Sequence, residues 1–187
     1  MKNLLLISLI LSFSVTIFSC NDDDDVIMPD PDPPTLVQAA QSANLSILLD
    51  AVGAVDGLAN ALLQADNITV FAPTNAAFEA ALSAFNASTL GELVEAIGGV
   101  ENLEIVLGYH VIPQVFFAAD IPEGNTEVQT LANQTLTINR SGNQVNLTDA
   151  AGNTFAVTTA DVVIENGVVH VINGVLLPEI EITARLL

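Results

Sequence analysis

The chain is predicted to fold as an α+β domain, with helices first and antiparallel strands after. Three observations predict this. From Leu36 to Tyr109 the apolar residues recur three and four apart, as in helices with one face on a core. From Val115 to Thr158, short β-branched and aromatic runs alternate with Gly, Asn, Asp and Ser turn residues. Helices first and antiparallel strands after give an α+β domain.

In chain order, Met1 to Ser19 has the pattern of a secretory signal. Lys2 supplies the positive start and Leu4 to Phe18 the apolar stretch, which is shorter than the about 20 residues of a membrane span. Cys20 is the single cysteine, so a disulfide within the chain is impossible. Asn21-Asp22-Asp23-Asp24-Asp25 follows, and four prolines between Val26 and Pro34 predict a stiff, extended tether over residues 20–34 at about 3.1 Å per residue. The acidic run lacks the glycine turn and spaced ligands of a calcium loop. Residues 35–180 form one domain of ordinary size, and Glu181 to Leu187 is a short tail.

Within the domain, Thr35 opens a helix carrying Leu36, Val37, Ala39 and Ala40 on its apolar side. Further helices are predicted at Leu45 to Val55, Leu58 to Gln64 and Glu101 to Tyr109. Thr89-Leu90-Gly91-Glu92 has the capping-box pattern, and Gly98-Gly99 ends the helix it starts. Ile68 to Phe71 is a strand stopped at Ala72-Pro73, because proline offers no amide donor. Thr74 or Asn75 then caps a helix through Phe78 and Phe85. Strands are predicted at Val115 to Ala118, Val128 to Leu131, Leu136 to Asn139, Gln144 to Leu147 and Thr154 to Thr158. Asn166-Gly167 divides two apolar runs and suits a type I′ hairpin.

Two stretches and a residue pair then resemble the signature of the fasciclin domain, a family of extracellular adhesion modules. The first is Thr69-Val70-Phe71-Ala72-Pro73-Thr74-Asn75-Ala76-Ala77-Phe78, and the second runs from Gly167 through His170 and Asn173 to Pro178, with Tyr109-His110 between them. The resemblance covers Thr35 to Pro178. It implies a wedge-shaped β-sandwich with helices packed along one edge, mainly from the N-terminal half. It also implies that Thr69, Phe71, Pro73, Thr74, Phe78, Gly167, His170 and Asn173 are framework residues. The resemblance further implies a structural role for Tyr109 and His110, and in animal relatives this region is also linked to cell-surface receptor binding. Asp161-Val162 is similar to an Asp-Ile pair that takes part in integrin binding in animal domains. Tyr109, His110, Asp161 and Val162 are therefore the candidate partner-binding residues.

Ile17-Phe18-Ser19-Cys20 resembles a bacterial lipobox, which makes Cys20 the expected lipidation site and a membrane lipid the anchor. The acidic run after it is similar to the export tag of surface-exposed Bacteroidetes lipoproteins. The alternative is a plain solvated charge run, with the domain facing the periplasm.

Composition narrows the function. Net charge is −19, with Arg140 and Arg185 the only cationic residues after Lys2. Such a surface repels phosphate backbones, so nucleic acid is excluded as a partner. The chain has no tryptophan and one tyrosine, leaving few rings for stacking sugars, although Phe116-Phe117 would point to opposite faces of a strand. No metal-binding, nucleophile-elbow or phosphate-loop motif is present, so no cofactor, metal or catalytic residue is expected. Six Asn-x-Ser/Thr triplets, at Asn44, Asn67, Asn86, Asn133, Asn139 and Asn146, read as polar surface composition behind a bacterial lipobox. The expected function is an envelope-anchored, non-catalytic adhesion module for a protein or matrix ligand. The alternatives are a hydrolase of envelope or cell-wall polymers and a periplasmic scaffold. The sequence sets no oligomeric state.

Overall fold

In the computed structural model, which describes residues 32–180, three short helices come first: α1 (Leu36–Ser42), α2 (Ser46–Gly53) and α3 (Leu58–Gln64). Strand β1 (Ile68–Pro73) follows, then α4 (Asn75–Ala84), α5 (Leu90–Ala96) and α6 (Val100–Tyr109). The C-terminal half is β2 (Val111–Ile112), β3 (Gly124–Gln129), β4 (Thr135–Ser141), β5 (Gln144–Thr148), β6 (Thr154–Ile164) and β7 (Gly167–Ile172). The α+β expectation holds. The signal segment, Cys20, the acidic run and the tail from Glu181 lie outside the described residues.

The helices start and stop where local chemistry directs. Thr35 caps α1 with a full capping box from Gln38. Thr74 caps α4 by accepting from the Ala77 amide, and Thr89 caps α5 by accepting from Glu92. The Glu92 carboxylate reaches back one residue further than a standard box, to the Ser88 amide. At the other ends, Asn44 and Asn86 take left-handed φ of 55° and 54° one residue past the caps of α1 and α4. In both cases the next amide closes a long-range turn bond, Leu45 to the Ala40 carbonyl and Ala87 to the Leu82 carbonyl. Asn67 and Asn133 share that conformation. Four of the six Asn-x-Ser/Thr triplets thus begin at a left-handed asparagine, a backbone requirement that surface composition does not explain.

The strands join in the order β2-β1-β7-β6-β5-β4-β3. Neighbours are antiparallel except β1 and β7, which run parallel with Phe71 opposite His170. The 11-residue β6 pairs β5 through Thr154–Ala156 and β7 through Val157–Ile164, so one strand serves both halves of the sheet. The sheet folds over at that strand. Phe71 and Ile172 from one half pack with Val128, Leu136, Ile138, Val145 and Leu147 from the other, and Tyr109 closes this inner core. On the outward face of β1 and β7, Val70, Ala72, Val169 and Val171 meet the helices through Leu48, Leu62, Phe78 and Leu107. The two-residue side-chain period of β1 and β7 therefore feeds two cores at once.

Three local expectations need correction. Val115 to Ala118 forms no strand. Phe116 and Ala118 give their backbone groups to side chains, and the Phe117 carbonyl accepts from the Asp120 amide in a turn. The strand expected at Val128 to Leu131 is β3, which begins earlier at Gly124. Asn166-Gly167 makes no type I′ turn, since neither residue takes a positive φ and the register Ile164–Gly167 makes Glu165-Asn166 the connecting pair. Gly167 is required by packing: a Cβ there would overlap the Ile68 carbonyl oxygen of the adjacent β1. Asn166 anchors the turn by donating its amide to the Leu62 and Ala65 carbonyls at the end of α3, both at 2.7 Å.

Candidate functional site

α6 ends at His110, whose position is set by the helix that precedes it. The Leu176 amide donates to His110 Nε2 at 2.9 Å, so the ring proton sits on Nδ1 and is donated to the Val106 carbonyl at 2.7 Å. The ring is buried, and burial pushes its pKa down to about 4, against the opposing pull of the Val106 carbonyl and Asp149. Next to it, the fully buried Tyr109 donates its hydroxyl to the Thr135 carbonyl at 2.9 Å. Burial, with the Asp149 charge second, raises the phenol to about 12. Asp149 is buried as well. It accepts from the Asn153 amide and side chain and from the Leu177 amide, which closes the β5–β6 turn and fixes the chain after β7.

His170 is the centre of a second network. It lies on the inner face of β7, opposite to Val169 and Val171 as strand alternation requires, and stacks on Phe71 at 5.6 Å. The Asp161 amide donates to Nδ1 at 3.1 Å, so Nε2 carries the proton and donates it to the Phe116 carbonyl at 2.8 Å. Burial lowers the pKa of this ring too. Thr69 accepts from the Phe116 amide and donates to the Gln114 carbonyl, and the Asp161 carboxylate accepts from the Ala118 amide at 2.8 Å. Three side chains from β1, β6 and β7 thereby hold Gln114 to Ala118 in place of a neighbouring strand.

Asp161 itself sits in a bulge. Ala160 and Asp161 together oppose the single residue His170, and Asp161 takes a left-handed φ of 60°. Bulges bend the strand and re-aim a side chain out of the ladder. Here the bulge turns the Asp161 carboxylate toward solvent, with its side chain 40% exposed.

The candidate partner-binding residues therefore separate. Tyr109 and His110 are buried and give their polar atoms to the fold, which leaves no surface for a partner. Burial of the pair fits the structural role that the resemblance implies for it. Val162 is half-buried against the helix-side core. Asp161 alone of the four is exposed. Of the neighbouring phenylalanines, Phe116 packs into the inner core while Phe117 is 37% exposed. Among the framework candidates, Thr69, Phe71, Pro73, Phe78 and His170 are buried, Thr74 caps α4, Gly167 makes the close approach to β1, and Asn173 pairs with Ala156 through both its side-chain oxygen and its amide. Sequence reasoning missed Asp149, and it missed Gly174, where a Cβ would overlap the Phe155 ring. The Asn173-Gly174 pair was the available signal for the second. Among the described residues, no group of three or more His, Cys, Asp or Glu side chains converges to hold a metal.

The Fasciclin domain family matches residues 43–178. Protein sll1483 of Synechocystis sp. is 41% identical over 145 residues, covering 77% of this chain and 73% of that protein. The transforming growth factor-beta-induced protein ig-h3 of Sus scrofa is 32% identical over 154 residues, covering 82% of this chain and only 19% of that protein. The fold is similar to a FAS1 domain pair from the insect cell adhesion molecule Fasciclin I, with a TM-score of 0.57 at 20% identity, over 73% of this chain and 46% of the pair.

Proposed function

This chain belongs to the fasciclin domain family, and from that premise we propose that it is a non-catalytic adhesion module, lipid-anchored through Cys20 in the outer membrane and presenting its domain at the cell surface to a protein or matrix ligand. One observation carries the non-catalytic part. The two histidines, the tyrosine and Asp149 are the side chains best suited to chemistry, and their polar atoms are committed to backbone groups inside the fold. A general base needs a nitrogen free to take a proton from substrate. Both rings here use their unprotonated nitrogen to accept a main-chain amide. Similarity to an insect cell adhesion molecule supports the adhesion role by analogy of fold, with Asp161 the exposed member of the partner-binding candidates.

The anchor rests on the lipobox-like Ile17-Phe18-Ser19-Cys20, and surface display on the acidic run behind it. Cys20→Ser is expected to move the protein from the membrane to the soluble fraction. Protease treatment of intact cells is expected to remove the domain; a protected domain would favour the periplasmic scaffold. Cells lacking the protein are expected to lose attachment to their matrix or surface, and retention of full attachment would defeat the adhesion role.

A further inference from the structure

We propose that the hollow beside Asp161 binds a single saccharide residue of a surface or matrix glycan. This rests on the partner-binding reading above and names the chemistry of the partner.

The hollow has a volume of about 280 Å³ and lies between the Ala118-Ala119 turn, the β4–β5 turn and the β6 bulge. That is below the range of drug-sized sites, about 300–1,000 Å³, and leaves room for one sugar ring. Ala118, Val145 and Ala160 give it an apolar lining, while Arg140, Asn143 and Asp161 supply polar groups. Two of the three polar groups are held in place before any ligand arrives. The bulge fixes the Asp161 main chain through His170 Nδ1, and the Ala118 amide holds Oδ1. Among the described residues, Oδ2 has no hydrogen-bond partner. The Arg140 guanidinium is clamped by the carbonyls of Gly142, Ala119 and Ile121 at 2.7–3.0 Å, through Nε and Nη1, and its Nε lies 3.9 Å from the exposed Glu123 carboxylate, which compensates part of its charge. Among the described residues, Nη2 and the Asn143 side-chain amide likewise have no partner. Groups locked by surrounding bonds are what a binding site needs for orientation.

The sign of these groups selects the ligand. A lone cation would meet the Arg140 guanidinium, and a lone anion would meet the Asp161 carboxylate. A neutral polyhydroxylated ring satisfies both: one hydroxyl donates to Asp161 Oδ2, another accepts from Arg140 Nη2, and Asn143 can do either. Its C–H face then lies on Ala118, Val145 and Ala160. A site without a stacking ring binds weakly on its own, and many anchored copies on one surface convert weak sites into firm attachment.

The test is amide NMR of the full chain in detergent, titrated with the methyl glycosides of glucose, galactose, mannose, xylose and arabinose. At least one glycoside is expected to shift the Ala118, Asn143 and Ala160 amides saturably. Asp161→Asn keeps the acceptor at Oδ1 and tolerates the left-handed φ, but puts a donor where Oδ2 was. It is expected to weaken binding about tenfold or more with an unchanged melting temperature, since the lost bond is charge-assisted. Asn143→Ala, on an exposed turn, is expected to weaken it several-fold. The proposal is overturned if no glycoside moves these amides, if the shifts lie elsewhere, if Asp161→Asn binds as tightly, or if calcium or citrate gives the saturable response in place of sugar. Cell attachment separates the two levels. Attachment that survives both Asp161→Asn and excess free glycoside removes the sugar site and leaves adhesion standing, whereas cells that never depended on the protein to attach remove the adhesion reading itself.

Discussion

His110 and His170 each bridge main-chain groups from distant parts of the chain, but their networks end in different places. The His110 network closes inside: Val106, Leu176, Tyr109 with Thr135, and Asp149 with Leu177 are all tied within the domain. The His170 network starts from an equally buried ring and ends at the surface, on the Asp161 carboxylate at a strained bulge. A closed network serves only the fold. An open one can hold a surface group still for a partner, and the cost of doing so is carried by the framework beneath it.

If that contrast is right, His110→Ala should be the most damaging change. It leaves a cavity under the end of α6 and strands the buried Leu176 amide, at a combined cost of about 4 kcal/mol in urea unfolding. His170→Ala also leaves a cavity, beside Phe71, but should cost less, about 3 kcal/mol, because its ring partners belong to the bulge and the Gln114–Ala118 segment at the exposed end of the network. Equal losses would erase the distinction.

Acid should act next. The His110 pKa is about 4 in the folded protein, below the ordinary 6.5, so its neutral form is the one that stabilises the fold. That stability is fully present above pH 6.5 and is lost as pH falls from 6.5 toward 4, by about 3 kcal/mol at most. His170 adds to the loss in the same direction. Unfolding measured at pH 7 and pH 4.5 checks this, and the acid loss should shrink in His110→Gln.

Tyr109 is the only tyrosine, so absorbance at alkaline pH reports it alone. Its midpoint should stand near 12 instead of 10, with stability present below pH 10 and lost as pH rises toward 12. A midpoint at 10 in folded protein would mean that the Tyr109 network is open to solvent. The smallest effect belongs to the exposed end. Asp161→Asn should change stability by no more than about 0.5 kcal/mol, because the acceptor for the Ala118 amide is kept.

The half of the fold built from local signals was legible in the sequence. α3 runs from Leu58 to Gln64 as the apolar spacing predicts, and Thr35, Thr74 and Thr89 cap the helices they precede. What failed depended on partners distant in sequence. Val115 to Ala118 has strand-like residues, yet Phe116 and Ala118 bond to Thr69, Asp161 and His170 side chains, which no local pattern announces. Gly167 looked like a turn residue and is a packing residue, because the strand it nearly touches is β1. Asn44 and Asn86 looked like surface asparagines and are helix stops. At the site, residue type pointed to His110 and Asp161 together. Only burial separates the one that holds the fold from the one that faces solvent.

The most direct measurement is the protonation of the two rings by nitrogen-15 NMR at neutral pH. Both imidazoles should be neutral and in opposite tautomers, His110 with its proton on Nδ1 and His170 with its proton on Nε2. A charged ring at neutral pH, or two rings in fast exchange between tautomers as solvent-facing histidines are, would contradict a framework role and return both to the list of groups free for chemistry.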